Sequence, residues 1–299
     1  MGMRRARIAM VVAPGRGRRS QSDSVGGWLG QGRTRRYARC PHFCFAAMTD
    51  TFLPPLTPPD HLMPQLRTQG YAVLGAAAVA ALAGVDLAAL RALEGDWADL
   101  PPDLYLKDGG RYRRRRHACF VVDPNQPTQA LRTPDRAHWQ PVEYNALHGG
   151  MERWFAPMLE TTTQQAAWLK LLGWLGQVAS DLKSTPQQPW FLEAHQFRID
   201  TTDGIGRPTP EGAHRDGVDL VAVFLVGRAG IKGGETRVFE AAGPNGQRFT
   251  LTEPWSLLLL DDARVIHEST PIQPTGAEGH RDTLVVTCRA KGFQEDGVV

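Results

Sequence analysis

His214 and Asp216 set an imidazole and a carboxylate two positions apart, and a second imidazole, His267, follows 51 residues after Asp216. If the first pair lies on extended chain, the period of two sends both side chains to one face. Two imidazoles and one carboxylate occupy one face of an octahedral ion and leave the opposite positions open. Non-haem Fe(II) oxygenases use this arrangement. Three such ligands also suit catalytic zinc. The triad alone therefore leaves open a zinc-dependent cupin-like hydrolase or isomerase, and a metal-binding barrel module without turnover. A bare His-x-Asp pair also occurs in solvated turns, so the neighbouring residues decide.

Fourteen residues past His267, Arg281-Asp-Thr283 opens the apolar run Leu284 to Cys288. A guanidinium at the mouth of a buried strand needs a partner, because an uncompensated charge there is costly. Its planar fork suits a carboxylate, and the Thr283 hydroxyl on the same face can add a hydrogen bond. This ordered set is joined by Glu193-Ala-His-Gln-Phe-Arg-Ile199, Pro210 to Asp219, Gly233-Gly-Glu-Thr236, Leu260-Asp-Asp262 and His280 to Thr287. Together they resemble the Fe(II)/2-oxoglutarate-dependent dioxygenases, within them the bacterial branch of free L-isoleucine dioxygenase and similar amino-acid hydroxylases. The resemblance is strong over residues 190–290 and loose over 65–190.

It implies that His214, Asp216 and His267 hold Fe(II), that 2-oxoglutarate and O2 take the open positions, and that Arg281 and Thr283 bind the distal carboxylate of 2-oxoglutarate. Arg289 and Arg264 are the alternatives to Arg281. It further implies a small-molecule substrate, a free L-amino acid with a small apolar side chain such as isoleucine, leucine or methionine. Such a substrate needs one more cation and one more acid than the cofactor site uses. Arg198, whose strand face is shared by Gln196, is the first candidate for the α-carboxylate, and Arg115 the second. Glu211 or Glu235 would meet the α-ammonium. Arg198 has another reading, as the internal partner of a carboxylate such as Asp262. His138, His148, His195 and His280 have no partners at metal-ligand spacing and read as structural.

The elements that must position these residues come in two halves. After Pro54, Pro55, Pro58 and Pro59, helical signals begin near His61, a short strand spans Tyr71 to Leu74, and Asp86 caps a helix expected to reach Trp97. Trp168, Leu171, Leu172, Leu175 and Val178 recur at spacings of three and four, predicting an amphipathic helix over 161–183. From 190 onward short strands separated by Gly, Pro and Asn follow: 191–199, 220–226, 236–239, 249–251, 255–260, 265–267 and 284–288. Helices followed by many short strands predict an α+β fold, a double-stranded β-helix (jelly roll, cupin-like) carried on N-terminal helices. The expectation is one dioxygenase domain over 48–299, with 48–189 as helical support and first strands and 190–290 as the jelly-roll core.

Charge is uneven. The formal net charge is +3, but residues 1–47 hold ten Arg against the single acid Asp23, leaving 24 bases and 30 acids in the remainder. A mildly acidic body offers no footprint for nucleic acid. The run Arg113 to Arg116 is either a solvated or acid-paired strand edge, or has one face at the site mouth. Residues 1–47 read as a basic leader, either translated upstream of a start at Met48, a disordered tail, or a targeting peptide. Cys40 and Cys44 in that leader lack a second ligand pair for zinc, and Cys119 and Cys288 read as buried thiols, which suits a reducing cytoplasm. No apolar stretch is long enough to span a membrane. The oligomeric state is not legible.

Overall fold

Side-chain parity along the long strands divides this protein into a helix-packed layer and a cavity. The computed structural model describes residues 52–294, apart from 124, 127–129, 186 and 187. The leader, with Cys40 and Cys44, lies outside them. In chain order the elements are α1 (Leu62–Gln69), β1 (Tyr71–Leu74), α2 (Ala76–Ala83), α3 (Leu87–Arg91), β2 (Arg113–Val122), β3 (Ala130–Arg132), α4 (Glu160–Thr163) and α5 (Ala166–Lys183). Then come β4 (Trp190–Asp200), β5 (Leu220–Ala229), β6 (Ile231–Gly233), β7 (Thr236–Glu240), β8 (Gly246–Phe249), β9 (Leu257–Leu260), β10 (Val265–Ser269), β11 (Ile272–Pro274) and β12 (His280–Arg289).

Seven strands form one antiparallel sheet in the order β1-β9-β5-β12-β4-β2-β3, faced by a three-stranded sheet β10-β7-β8 and a β11-β6 pair. Non-sequential neighbours in two facing sheets are what a double-stranded β-helix requires. The helices pack on the outer face of the large sheet. Trp168, Leu171, Leu172 and Leu175 of α5 are fully buried in one core with Phe120, Leu192, Ala194, Phe224 and Leu284. Val221, Leu225, Val238, Phe249 and Leu258 form a second core between the sheets. Even-numbered residues of β4 and β12 therefore face the helices, and odd-numbered ones face inward.

That parity settles several expectations. The helix predicted over 161–183 exists but breaks at Gln164 and Gln165, separating the one-turn α4 from α5. The helix after Asp86 is shorter than expected. The Asp86 carboxylate does cap it, accepting from the Ala88 N–H, but it ends at Arg91, and residues 94–97 form a 3-10 turn. The Arg113–Arg116 run forms the first four residues of β2. Among the described residues no single helix is long and apolar enough to cross a membrane.

Candidate active site

The three residues predicted to share an ion converge at one end of the inter-sheet cavity. His267 sits on β10; His214 and Asp216 sit in the connection before β5. His214 and His267 form an isolated antiparallel bridge, the N–H of each donating to the carbonyl of the other at 3.0 and 2.9 Å. Asp216 is fixed from behind by Asp262, whose carboxylate accepts from the backbone N–H groups of Asp216, Gly217 and Val218 at 3.0, 2.7 and 3.1 Å. Gly217 permits this turn: its φ is +75°, and a Cβ there would meet the Tyr144 ring at 2.4 Å.

The ligand atoms of His214, Asp216 and His267 lie within 4.8 Å of one another. His214 Nε2 is 3.8 Å from Asp216 Oδ1, and His267 Nε2 is 3.9 Å from Oδ2, too far for hydrogen bonds. His214 Nδ1 contacts the Gly212 carbonyl at 3.0 Å, so it carries the proton and the Nε2 lone pair is left facing the carboxylate. Lone pairs converging across a gap of this size are what a cation satisfies. The donor set fits Fe(II) in the two-His, one-carboxylate mode.

Arg281 and Thr283 lie on the inward face of β12, both buried and both lining the same cavity. No carboxylate among the described residues is within ion-pair reach of Arg281, and burial lowers its pKa to about 10. Gly234 leaves room beside it: a Cβ there would lie 3.4 Å from Arg281 Cδ. An uncompensated guanidinium open to a cavity is a receptor for an anion. The two alternatives are engaged elsewhere, Arg264 with the carbonyls of Arg67 and Thr68 and Arg289 with those of Gly292 and Phe293.

Two of the substrate candidates fall on the wrong face. Arg198 points with the even positions of β4 and forms a bidentate pair with Asp282 at 2.8 and 2.7 Å, so it is a structural partner, of Asp282 and not of Asp262. Gln196 is fully buried on the helix side, its amide without a partner, and does not line the cavity. Arg115 and Glu211 do line it, whereas Glu235 does not and instead accepts from Arg237 Nε at 2.9 Å. Glu211 Oε1 lies 3.6 Å from His214 Nδ1, while Oε2 is buried without a hydrogen bond.

The inward face of β4 instead carries Glu193 and His195, which join His117 and His138 in a second buried cluster. It differs from the first in being closed. His138 Nδ1 and His117 Nε2 approach Glu193 Oε2 at 2.7 and 3.1 Å. Arg115 donates to His195 Nδ1 at 2.6 Å, which leaves the His195 proton on Nε2. Burial alone would raise the Glu193 carboxyl, but His138 and His117 hold it well below the usual range. Imidazole protons and a neighbouring guanidinium satisfy this carboxylate, so the cluster has no need of a cation. His138, His148 and His195, read as structural and without partners at metal-ligand spacing, all line the cavity, and His138 and His195 do have such partners, in His117 and Glu193. The inverted face of β4 and the absence of local spacing hid them.

The model of the family described as 2OG-Fe dioxygenase matches residues 94–287, a span holding both the triad and Arg281. The chain belongs to the 2OG-Fe dioxygenase family. The family uses Fe(II), 2-oxoglutarate and O2, and the two-His, one-Asp site described above is of the kind that holds the iron. Among solved structures, a BsmA homologue from Methylobium petroleophilum PM1 is 53% identical, with a TM-score of 0.76 over 81% of this chain and 97% of that one. IDO from Bacillus thuringiensis shares the fold at 16% identity, with a TM-score of 0.64 over 78% of this chain and all of that one. The Fe(II)/α-ketoglutarate-dependent dioxygenase TqaL does so at 20% identity and a TM-score of 0.58, over 77% and 86% of the two chains. A search of curated protein sequences gives no match.

In this dioxygenase the Asp216 carboxylate is also held from the side of the cavity. Gln140 Nε2 donates to Asp216 Oδ1 at 3.1 Å, and the orientation of the Gln140 amide is dictated. Asn145 Nδ2 and an Arg153 Nη both donate to its Oε1, at 3.0 and 2.9 Å. Asn145 is itself oriented by the His148 N–H, which donates to its Oδ1 at 2.8 Å. Outer hydrogen bonds of this kind orient metal ligands and tune their basicity. Nothing in the spacing of residues 138–153 announces that role.

Proposed function

We propose that this chain is an Fe(II)- and 2-oxoglutarate-dependent hydroxylase of a free L-amino acid. One observation carries the reading: a single buried cavity joins an open three-ligand metal set, an uncompensated arginine on β12, and further groups of both signs. His214, Asp216 and His267 hold the iron. Arg281, with the Thr283 hydroxyl beside it, receives the distal carboxylate of 2-oxoglutarate. When bound there, iron and 2-oxoglutarate would activate O2, which would oxidise an unactivated C–H bond, one oxygen atom entering the product and the other the succinate formed as 2-oxoglutarate loses CO2.

The chain's own residues bind and orient. Glu211, with one oxygen lacking a partner, meets the α-ammonium, and the arginine-rich part of the cavity wall meets the α-carboxylate. Val218, Val223 and Val285 line the same cavity and suit an apolar side chain. Holding a substrate at both charged ends fixes which carbon faces the metal, and the buried walls keep water from the reaction. The test is succinate release and product hydroxylation across a panel of free L-amino acids with Fe(II) and ascorbate. Small apolar members should be turned over with one succinate per hydroxylated product. Absence of turnover with every amino acid, by a protein that still binds 2-oxoglutarate, would overturn the substrate class.

A further inference from the structure

The arginine wall has three members, and they are not equivalent. Arg113 donates to Asp103 at 2.7 Å in a fully buried ion pair. Arg115 also lies 3.7 Å from Asp103. Its guanidinium stacks on the rings of Phe155 and Phe197, 3.6 and 4.3 Å from their centroids, and donates to His195. Both are committed to the scaffold.

Arg153 is different. It is 2% exposed and lines the cavity, yet no carboxylate among the described residues lies within ion-pair distance of it. One Nη is spent on the neutral Gln140 amide, and Nε has no partner at all. Arg113 and Arg115 share the Asp103 carboxylate, whereas Arg153 has no ion pair among the described residues. Burial favours the neutral imidazoles of His138 and His195, lowering His138 to about 4 and His195 well below its ordinary range. A buried guanidinium is retained in a cavity when something anionic completes it.

We propose that Arg153, rather than Arg115 or Arg198, receives the carboxylate of the substrate, making the arginine wall beside β2, two strands along the same sheet from Arg281 on β12, a second carboxylate-binding subsite. The proposal rests on the amino-acid reading above and deepens it, because it places the two carboxylates of the reacting complex on two different arginines. Arg281 on β12 takes the cosubstrate; Arg153, in the segment between β3 and α4, takes the substrate. Burial, with Arg113 nearby, lowers the Arg153 pKa to about 10, and Asp103 and Glu211 oppose that shift electrostatically without Glu211 pairing with it.

The test uses protein loaded with Mn(II) and saturating 2-oxoglutarate, so that the Arg281 site is filled. Binding of valerate and of its uncharged isostere valeramide is followed by calorimetry. Wild type should bind valerate at least tenfold more tightly than valeramide. Arg153→Met should abolish that preference while changing 2-oxoglutarate affinity by less than threefold, and Arg281→Met should do the reverse. Arg153→Gln, which keeps a donor for Gln140, carries the same comparison if the Met variant does not fold. An undiminished valerate preference in the folded Arg153 variants overturns the proposal. So does a wild type that binds 2-oxoglutarate but shows no preference between valerate and valeramide, which leaves the cosubstrate reading standing. Failure of 2-oxoglutarate to bind wild type removes the cosubstrate reading, and the proposal with it.

Discussion

Each residue of the site is defined by what its polar atoms lack within the protein. His214 Nε2 and the Asp216 carboxylate face each other at 3.8 Å without a hydrogen bond, so replacing either by alanine should abolish Mn(II) binding by calorimetry and all 2-oxoglutarate turnover. Retained turnover in His267→Ala would show the third ligand to be another residue. Arg281 lacks a carboxylate, and Arg281→Met removes one partner of a buried charge pair. The expected loss, read as a rise in the 2-oxoglutarate KM, is on the order of 2–5 kcal/mol; an unchanged KM would place the anchor elsewhere. Gln140→Leu removes the donor to Asp216 Oδ1 without touching a ligand. Outer-shell losses of this type typically cost about 10–100-fold in metal affinity. The Mn(II) dissociation constant should therefore rise within that range while Arg281-dependent 2-oxoglutarate binding persists, and an unchanged constant would make the Gln140 contact incidental.

At the level of elements, α5 and the large sheet decide which side chains reach the cavity. Leu172 is fully buried in the helix–sheet core and does not line the cavity. Leu172→Ala should lower stability by about 2–5 kcal/mol, seen as a fall in denaturation midpoint, with the 2-oxoglutarate KM of the folded enzyme unchanged. A shifted KM would mean that α5 positions the site directly. The stripe that marks α5 was legible because helical periodicity is local. So were β1 and the cavity-facing alternation of Arg281 and Thr283, since a period of two is read within five residues. The parity of β4 was not legible in the same way. Its sequence offers polar residues on both faces, Glu193 and His195 on one and Gln196 and Arg198 on the other. Only the packing of α5 against Leu192 and Ala194 chooses between them. A one-residue error in that choice exchanges every candidate, which is why Arg198 looked like a substrate ligand and His195 like scaffold. Gln140, Asn145 and Arg153 were invisible for a further reason: they act from irregular chain, where no period exists.

For the whole molecule, the closed cluster around Glu193 makes stability depend on acidity. Burial lowers His138 from its ordinary 6.5 to about 4, so between these values the unfolded chain binds protons that the native one refuses. Glu193, held low in the native state, acts in the same direction: its contribution is present above the ordinary carboxyl value and lost as pH falls below it. The melting temperature should therefore hold near neutrality and decline from about pH 6.5 downward, and His138→Gln should shrink that decline; an identical profile in the variant would assign the acid lability to other groups. The bridge between His214 and His267 has a different consequence, for the order of events in the life of the protein. Main-chain hydrogen bonds join β10 to the segment around His214 without an ion between them, so finding the topology should not depend on one. Refolding in the presence of a chelator should proceed at the same rate as with Mn(II), and the ion should enter afterwards, as cargo loaded into a finished vessel. The enzyme would then persist in a cell as a folded, iron-free reserve whose activity follows the supply of iron and not the pace of synthesis.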